Sequence, residues 1–212
     1  MTHFLLGLLL LAKKDIRKNM LKTGSQYLKD QNDGRAVYID GELIKNVVLD
    51  HRLSGGAQTV AELYDLQNRP DLIATMSFTN DAGERIGRTF QEPRTREELK
   101  LRTQSIRHWM NHTYGIFGRS PDYMSVILAS MNAAADFFDE SKINTGFGAN
   151  VRNYYKQCSE NDLTLTHVNV NPQVDRSKAV HEQEHDIACK VVKETDAGFY
   201  VDGARMVATL GE

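Results

Sequence analysis

Two short stretches of the chain carry residue types at spacings that do chemistry. His181-Glu182-Gln183-Glu184-His185 spells H-E-x-x-H, in which two histidines one helical turn apart ligate zinc and the glutamate activates a bound water. That chemistry needs an α-helix with an apolar back face. Here the flanks "VDRSKAV" and "DIACK" are polar and run straight into a strand pattern, and no downstream helix offers a third ligand, Glu194 lying in that strand pattern. A polar loop with no metal centre is therefore expected, and a zinc hydrolase is the alternative from another class. The second stretch, "GRSPDYM", places the guanidinium of Arg119 and the phenol of Tyr123 four residues apart at the mouth of a helix. Ser120 reads as its N-cap, Pro121 as its first residue and Asp122 as an acidic first turn, with Ser130, Ala133 and Ala134 as a small inner face. On pattern alone this is a well-capped core helix. Two glycine-containing stretches fall short of phosphate loops: "GFGANV" lacks the preceding strand and third glycine of a dinucleotide fingerprint, and "LSGGAQT" lacks the lysine.

The elements that must position these residues follow from composition and periodicity. In 212 residues, 26 Lys+Arg stand against 28 Asp+Glu, a net charge of −2 without long like-charge blocks, which argues against nucleic acid as a partner. Two cysteines, Cys158 and Cys189, make neither a disulfide framework nor a cysteine metal site, and a cytoplasmic location is expected. The apolar run Phe4–Ala12 is far short of the ~20 residues a membrane span needs. Its basic residues, from Lys13 on, follow the run rather than precede it as in a signal peptide, so no membrane partner is expected and residues 1–19 form an unassigned extension ahead of Met20. A helix is predicted after Thr23, then a hairpin near 36–44 around Asp40-Gly41, then a helix from Ala57 to Gln67 stopped by Asn68-Arg69-Pro70. A helix and a turn come next. Thr95 and Glu98 form a capping box for the clearest helix of the chain, with Leu99, Ile106, Trp109 and Met110 along one side before Gly115. From Leu163 the style changes: "LTLTHVNVN" alternates, and "CKVVKETDAGFYVDGARMVATL" reads as strands around Asp196-Ala197-Gly198. The expected organisation is a helical domain over 20–162 and a β domain over 163–212. About three short strands need a covering layer, so the β region reads as the start of a larger domain.

Seven segments in order, "DGRAVYIDGE", "ELYDLQ", "PRTREEL", "GRSPDYM", "AAADFF", "NPQVDRS" and "GARMVATL", resemble the 4-hydroxyphenylacetate 3-monooxygenase family, the oxygenase components of two-component aromatic hydroxylases. The resemblance implies an α+β fold of acyl-CoA dehydrogenase-like type: a helical N-terminal domain and the beginning of a β domain, with the family's C-terminal helical bundle absent from these residues. It implies reduced FAD supplied by a partner reductase, O2 and a phenolic substrate such as 4-hydroxyphenylacetate, hydroxylated beside its hydroxyl group to a catechol. The full-length family forms homo-oligomers. By the same resemblance Arg119, Tyr123 and His167 surround the substrate's phenol oxygen as catalytic residues. The flavin contacts fall on His167, Asn171, Gln173, Asp175, Arg176 and Thr209. A related dehydratase branch carries an iron–sulfur cluster as well as flavin. Two cysteines, neither beside Arg119 or Tyr123, speak against that branch. A non-catalytic remnant of the family is the second reading.

Overall fold

The computed structural model describes residues 21–116, 122–140, 146–172, 174–183, 187–196 and 198–209, with the backbone alone at 180, 208 and 209. The extension before Met20 lies outside them. The first helix, α1 (Gly24–Asp30), starts where Thr23 and Gln26 cap each other reciprocally: Gln26 N–H donates to Thr23 Oγ1 at 3.3 Å and Thr23 N–H donates to Gln26 Oε1 at 2.9 Å. Asp40 and Gly41, both at positive φ (50° and 80°), turn β1 (Val37–Ile39) back onto β2 (Glu42–Ile44), the handedness that two-residue hairpins prefer. Helix α2 (Ser54–Gln67) begins three residues before the expected Ala57 and buries Ala57, Ala61, Leu63, Tyr64, Leu66 and Gln67. It packs on α1 at very close range. A Cβ on Gly24 would stand 2.4 Å from the Ala61 carbonyl oxygen, so only glycine fits there.

After α3 (Ile73–Met76), β3 (Ser77–Thr79) and β4 (Arg85–Gly87) form a second hairpin. The long helix α4 (Arg96–His112) opens on the Thr95–Glu98 capping box. Its Trp109 joins Leu63, Leu66 and Met76 in one core cluster and donates from Nε1 to the Leu63 carbonyl at 3.2 Å. Leu99 stays half exposed. Helices α5 (Tyr123–Ala133) and α6 (Phe147–Glu160) close a second cluster of Ile86, Phe90, Leu128 and Cys158, with Phe78, Tyr155, Leu163 and Leu165 packed against it.

Two polar groups inside this helical unit are as telling as the apolar clusters. Arg88 is 4% exposed, and its guanidinium forms no ion pair among the described residues. Its guanidinium donates to the carbonyls of Thr75 (2.9 Å), Ala74 (2.8 Å) and Ser77 and to Gln91 Oε1 (2.7 Å), tying the end of α3 to the turn after β4. Burial lowers its pKa. Asp162, at φ 47°, ends α6 with a buried carboxylate that accepts from Gln67 Nε2 and from Lys22 N–H. The Asp162 carbonyl takes the Tyr64 hydroxyl at 2.8 Å. Burial pushes the Asp162 carboxyl up to about 6.

The chain divides after Leu165. The second unit, from Thr166, is built of β5 (His167–Val170), β6 (Lys190–Thr195), β7 (Gly198–Asp202) and β8 (Met206–Thr209). Strand β6 pairs with β7 and β5 with β8, all antiparallel, giving two two-stranded pieces where three consecutive strands were expected. The alternation from Leu163 yields a strand only from His167. Gly203, at φ +114°, lets the chain pass so close to Ala188 that a Cβ would stand 2.5 Å from the Ala188 carbonyl oxygen. Among the described residues no helix is long and apolar enough to cross a membrane.

Candidate functional site

In the helical unit the site begins at Tyr123, the first residue of α5. The helix starts later than the Ser120-Pro121 signal predicts: Asp122 is its N-cap residue, without a side-chain cap, and the Asp122 carbonyl accepts the first helical bond from Val126 N–H at 2.9 Å. Asp122 is 2% exposed, and its Oδ1 has no hydrogen-bond partner among the described residues. The inner face of α5 is Ser125, Leu128 and Ala129. Ser130, Ala133 and Ala134, expected inside, are exposed, because the residues that meet the core recur at i, i+3 and i+4 from Ser125. Arg119 lies outside the described residues, as do Ser120 and Pro121.

The strand unit holds the remaining candidates. His167 opens β5 half-buried, and the β5–β8 register sets it directly opposite Thr209, so strand pairing brings together two candidates far apart in sequence. Asn171 follows the strand and its Oδ1 accepts from the guanidinium of Arg205, which also donates to the Cys189 carbonyl at 3.3 Å. Sequence reasoning missed Arg205, although it lies inside the quoted segment "GARMVATL". Gln173 lies outside the described residues. Asp175 turns its carboxylate inward: Oδ1 accepts from Ser177 N–H (2.9 Å) and Ser177 Oγ (2.6 Å), which holds its pKa below the usual carboxylate range. Arg176 is exposed and makes no hydrogen bond or ion pair among the described residues.

The H-E-x-x-H segment does not form the helix that zinc chemistry requires. Val180–Glu182 is a single 3-10 turn, and Gln183 is already extended at ψ 135°. Glu182 spends its carboxylate on Ala179 N–H at 2.9 Å, and Gln183 folds back onto the preceding loop. Glu184 and His185 lie outside the described residues. Among the described residues no group of three or more His, Cys, Asp or Glu side chains is placed to hold a metal ion. Cys158, fully buried between Phe90 and Leu128, has its thiol pKa raised by burial, and so is packed as a small apolar residue.

A helical unit followed by antiparallel strands is an α+β arrangement of acyl-CoA dehydrogenase-like type. An archaeal 4-hydroxybutyryl-CoA dehydratase shares this fold at a TM-score of 0.70 and 24% identity, over 88% of the chain. The particular branch is fixed by sequence: residues 23–212 match the family model described as 4-hydroxyphenylacetate 3-hydroxylase N terminal, and the chain belongs to that family. The 4-hydroxyphenylacetate 3-monooxygenase oxygenase component of Thermus thermophilus is 36% identical over 90% of this chain and 38% of its own length. A probable 4-hydroxyphenylacetate 3-monooxygenase of Bacillus subtilis is 35% identical over 82% of this chain and 36% of its own length. A crystal structure of such an oxygenase component, complexed with FAD and 4-hydroxyphenylacetate, superposes at a TM-score of 0.77 and 35% identity, over 87% of this chain and 38% of that one. The chain thus spans little more than a third of the length of these relatives.

Proposed function

We propose that the chain forms the phenol-binding and first flavin-facing part of an oxygenase component that hydroxylates a phenol to a catechol, using O2 and FAD reduced by a separate reductase. The observation that carries this reading is the family match across residues 23–212, which includes Arg119, Tyr123, His167 and the "NPQVDRS" segment. The relatives named above carry the same activity in their names, and a 4-nitrophenol 2-monooxygenase oxygenase component of Rhodococcus, 36% identical, widens the substrate class to para-substituted phenols.

In this reading Arg119, Tyr123 and His167 surround the phenol oxygen. A phenol ionises near pH 10, and a guanidinium about 4 Å from the oxyanion contributes on the order of 4 kcal/mol at an effective dielectric of 20, opposed by desolvation. Holding the phenolate matters because its ring is more electron-rich at the carbon beside the oxygen, where hydroxylation occurs. Tyr123 stands at the positive end of the α5 dipole, which favours the same anion. The donors of the second unit fit an FAD. Arg176 is an exposed guanidinium fork suited to a diphosphate, the candidate amides of Asn171 and Gln173 offer polar edges, and His167 opposite Thr209 lies at the end of the β5–β8 ladder. Asp175 serves the flavin segment by shaping its turn. Bound reduced FAD would supply the electrons with which O2 is activated. A homo-oligomeric, cytoplasmic enzyme with access to NADH and its reductase completes the proposal.

The test supplies reductase, NADH, FAD and 4-hydroxyphenylacetate to the chain and to the chain joined to the remaining length of a relative, with catechol and hydrogen peroxide measured separately. In the joined enzyme, Arg119→Ala, Tyr123→Phe and His167→Ala are each expected to lower catechol formation by about 10²–10³. Undiminished catechol from Arg119→Ala removes the role given to the arginine. Absence of catechol from both proteins removes the reading.

A further inference from the structure

Gln183, the middle of the three residues between the two would-be zinc ligands, has a different task. The loop after Val174 is exposed and has little apolar packing to fix its shape; Val174 itself is 67% exposed. It is held by the carboxamide of Gln183. Its Oε1 accepts from Asp175 N–H at 2.9 Å, and its Nε2 donates to the carbonyls of Asp175 (2.7 Å), Lys178 (3.0 Å) and Ala179 (3.3 Å). The paired bonds to the N–H and C=O of Asp175 are those a neighbouring strand would make, so one side chain stands in for a missing strand. Nε2 has two hydrogens for three carbonyls, and the long bond to Ala179 is the shared one. Glu182 closes the far side by accepting from Ala179 N–H, and the Asp175 carboxylate caps Ser177 from within. Of the charged groups in this loop, Asp175, Lys178 and Glu182 are engaged within it, and Arg176 is exposed.

We propose that Gln183 is a positioning residue: its carboxamide closes the Asp175–Ala179 loop and thereby presents Arg176 as a fixed cationic fork for the diphosphate of a flavin dinucleotide. The inference rests on the flavin reading above and goes beyond it in assigning a residue that makes no ligand contact of its own.

The experiment uses the full 212-residue chain. Hydrogen exchange is followed at the Asp175 amide without ligand, and FAD and riboflavin are titrated separately, since riboflavin lacks the diphosphate. Gln183→Ala is expected to speed exchange at Asp175 by roughly 10- to 100-fold while the β6–β7 hairpin keeps its protection, which shows that the unit is folded. Gln183→Glu, which keeps an acceptor but sets a carboxylate against three carbonyls, should open the loop as well. Both variants should weaken FAD by about 10-fold and leave riboflavin unchanged, with no further loss when Arg176→Ala is added to either. Unaltered exchange at Asp175, equal weakening of FAD and riboflavin, or additive losses with Arg176→Ala would each overturn the proposal. If the unmutated chain takes up neither FAD nor riboflavin, the flavin reading falls and the role of Arg176 with it, while exchange at Asp175 still decides whether Gln183 is the clamp.

Discussion

Replacing Asp162 by asparagine should make the chain more stable at neutral pH and progressively less different from the parent as the pH falls. The carboxyl is buried against Gln67, Lys22 N–H and the Tyr64 ring region, and its pKa is raised from 3.8 to about 6 because burial penalises the charged form. A folded-state pKa above the unfolded one means that the native state binds the proton more tightly. The stability this contributes is complete below about pH 4 and is lost as the pH rises through 6. The shift of about two units corresponds to a cost on the order of 3 kcal/mol above pH 7. Asparagine keeps an oxygen for the Gln67 and Lys22 donors and never ionises, so it escapes that cost. Urea denaturation of parent and Asp162→Asn between pH 4 and 8 measures the difference directly. The stability gap should open between pH 4 and 6 and be flat above 7, with unchanged slopes against urea. A gap independent of pH would refute the reasoning, because it would mean that the carboxyl titrates alike in the folded and unfolded chains.

Further outcomes follow from the same contacts. Arg88→Met keeps the length of the side chain but strands the Ala74, Thr75 and Ser77 carbonyls, and should cost about 3 kcal/mol in a urea titration of the helical unit. Gly203→Ala forces a Cβ against the Ala188 carbonyl at positive φ and should destabilise the strand unit by about 1–3 kcal/mol, read as faster exchange of the Cys189 and Ala204 amides, whose bonds to Ala204 and Ile187 flank that contact. Zinc added to the chelator-treated chain should show no stoichiometric uptake dependent on His181. Tight zinc abolished by His181→Ala would contradict the extended geometry at Gln183.

What could be read from the sequence was what is encoded locally. The Thr23–Gln26 and Thr95–Glu98 capping boxes each involve residues three apart, and Asp40-Gly41 carries its own turn geometry, so both kinds of signal survive without knowledge of the fold. Helix α6 gave no such signal because it starts from Gly146 at φ 97°, a residue that reads as a loop, and the β3–β4 hairpin was hidden by the longer Asn80–Gly83 turn. Buried polar residues were the systematic blind spot. Gln67 shares the spacing of Val60, Leu63 and Tyr64, but nothing in the pattern of Arg88 or Asp162 marks them as inner residues, and all three are buried because partners from elsewhere in the chain satisfy them: the Asp162 carboxylate for Gln67, backbone carbonyls for Arg88, and an amide and a backbone N–H for Asp162. The candidate site was proposed from family motifs rather than from spacing, and motifs of that kind point to residues expected to face a ligand. Arg205 and Gln183, which act on the shape of the loop and strand ends, carry no mark in the sequence to distinguish them from surface residues.

The pairing of His167 with Thr209 also has a kinetic meaning. The β6–β7 hairpin closes across a tight turn from Thr195 to Gly198, whereas β5 and β8 must find each other with that whole hairpin and the Asp175–Ala179 loop strung between them. The entropy of closing the longer loop is spent before any ladder bond compensates it, so the β5–β8 ladder is the last part of the strand unit to assemble and the first to fray. Partial unfolding therefore separates His167 from Thr209 while the hairpin is still intact. Heat or denaturant should abolish ligand uptake while the amides of the β6–β7 hairpin still keep their exchange protection.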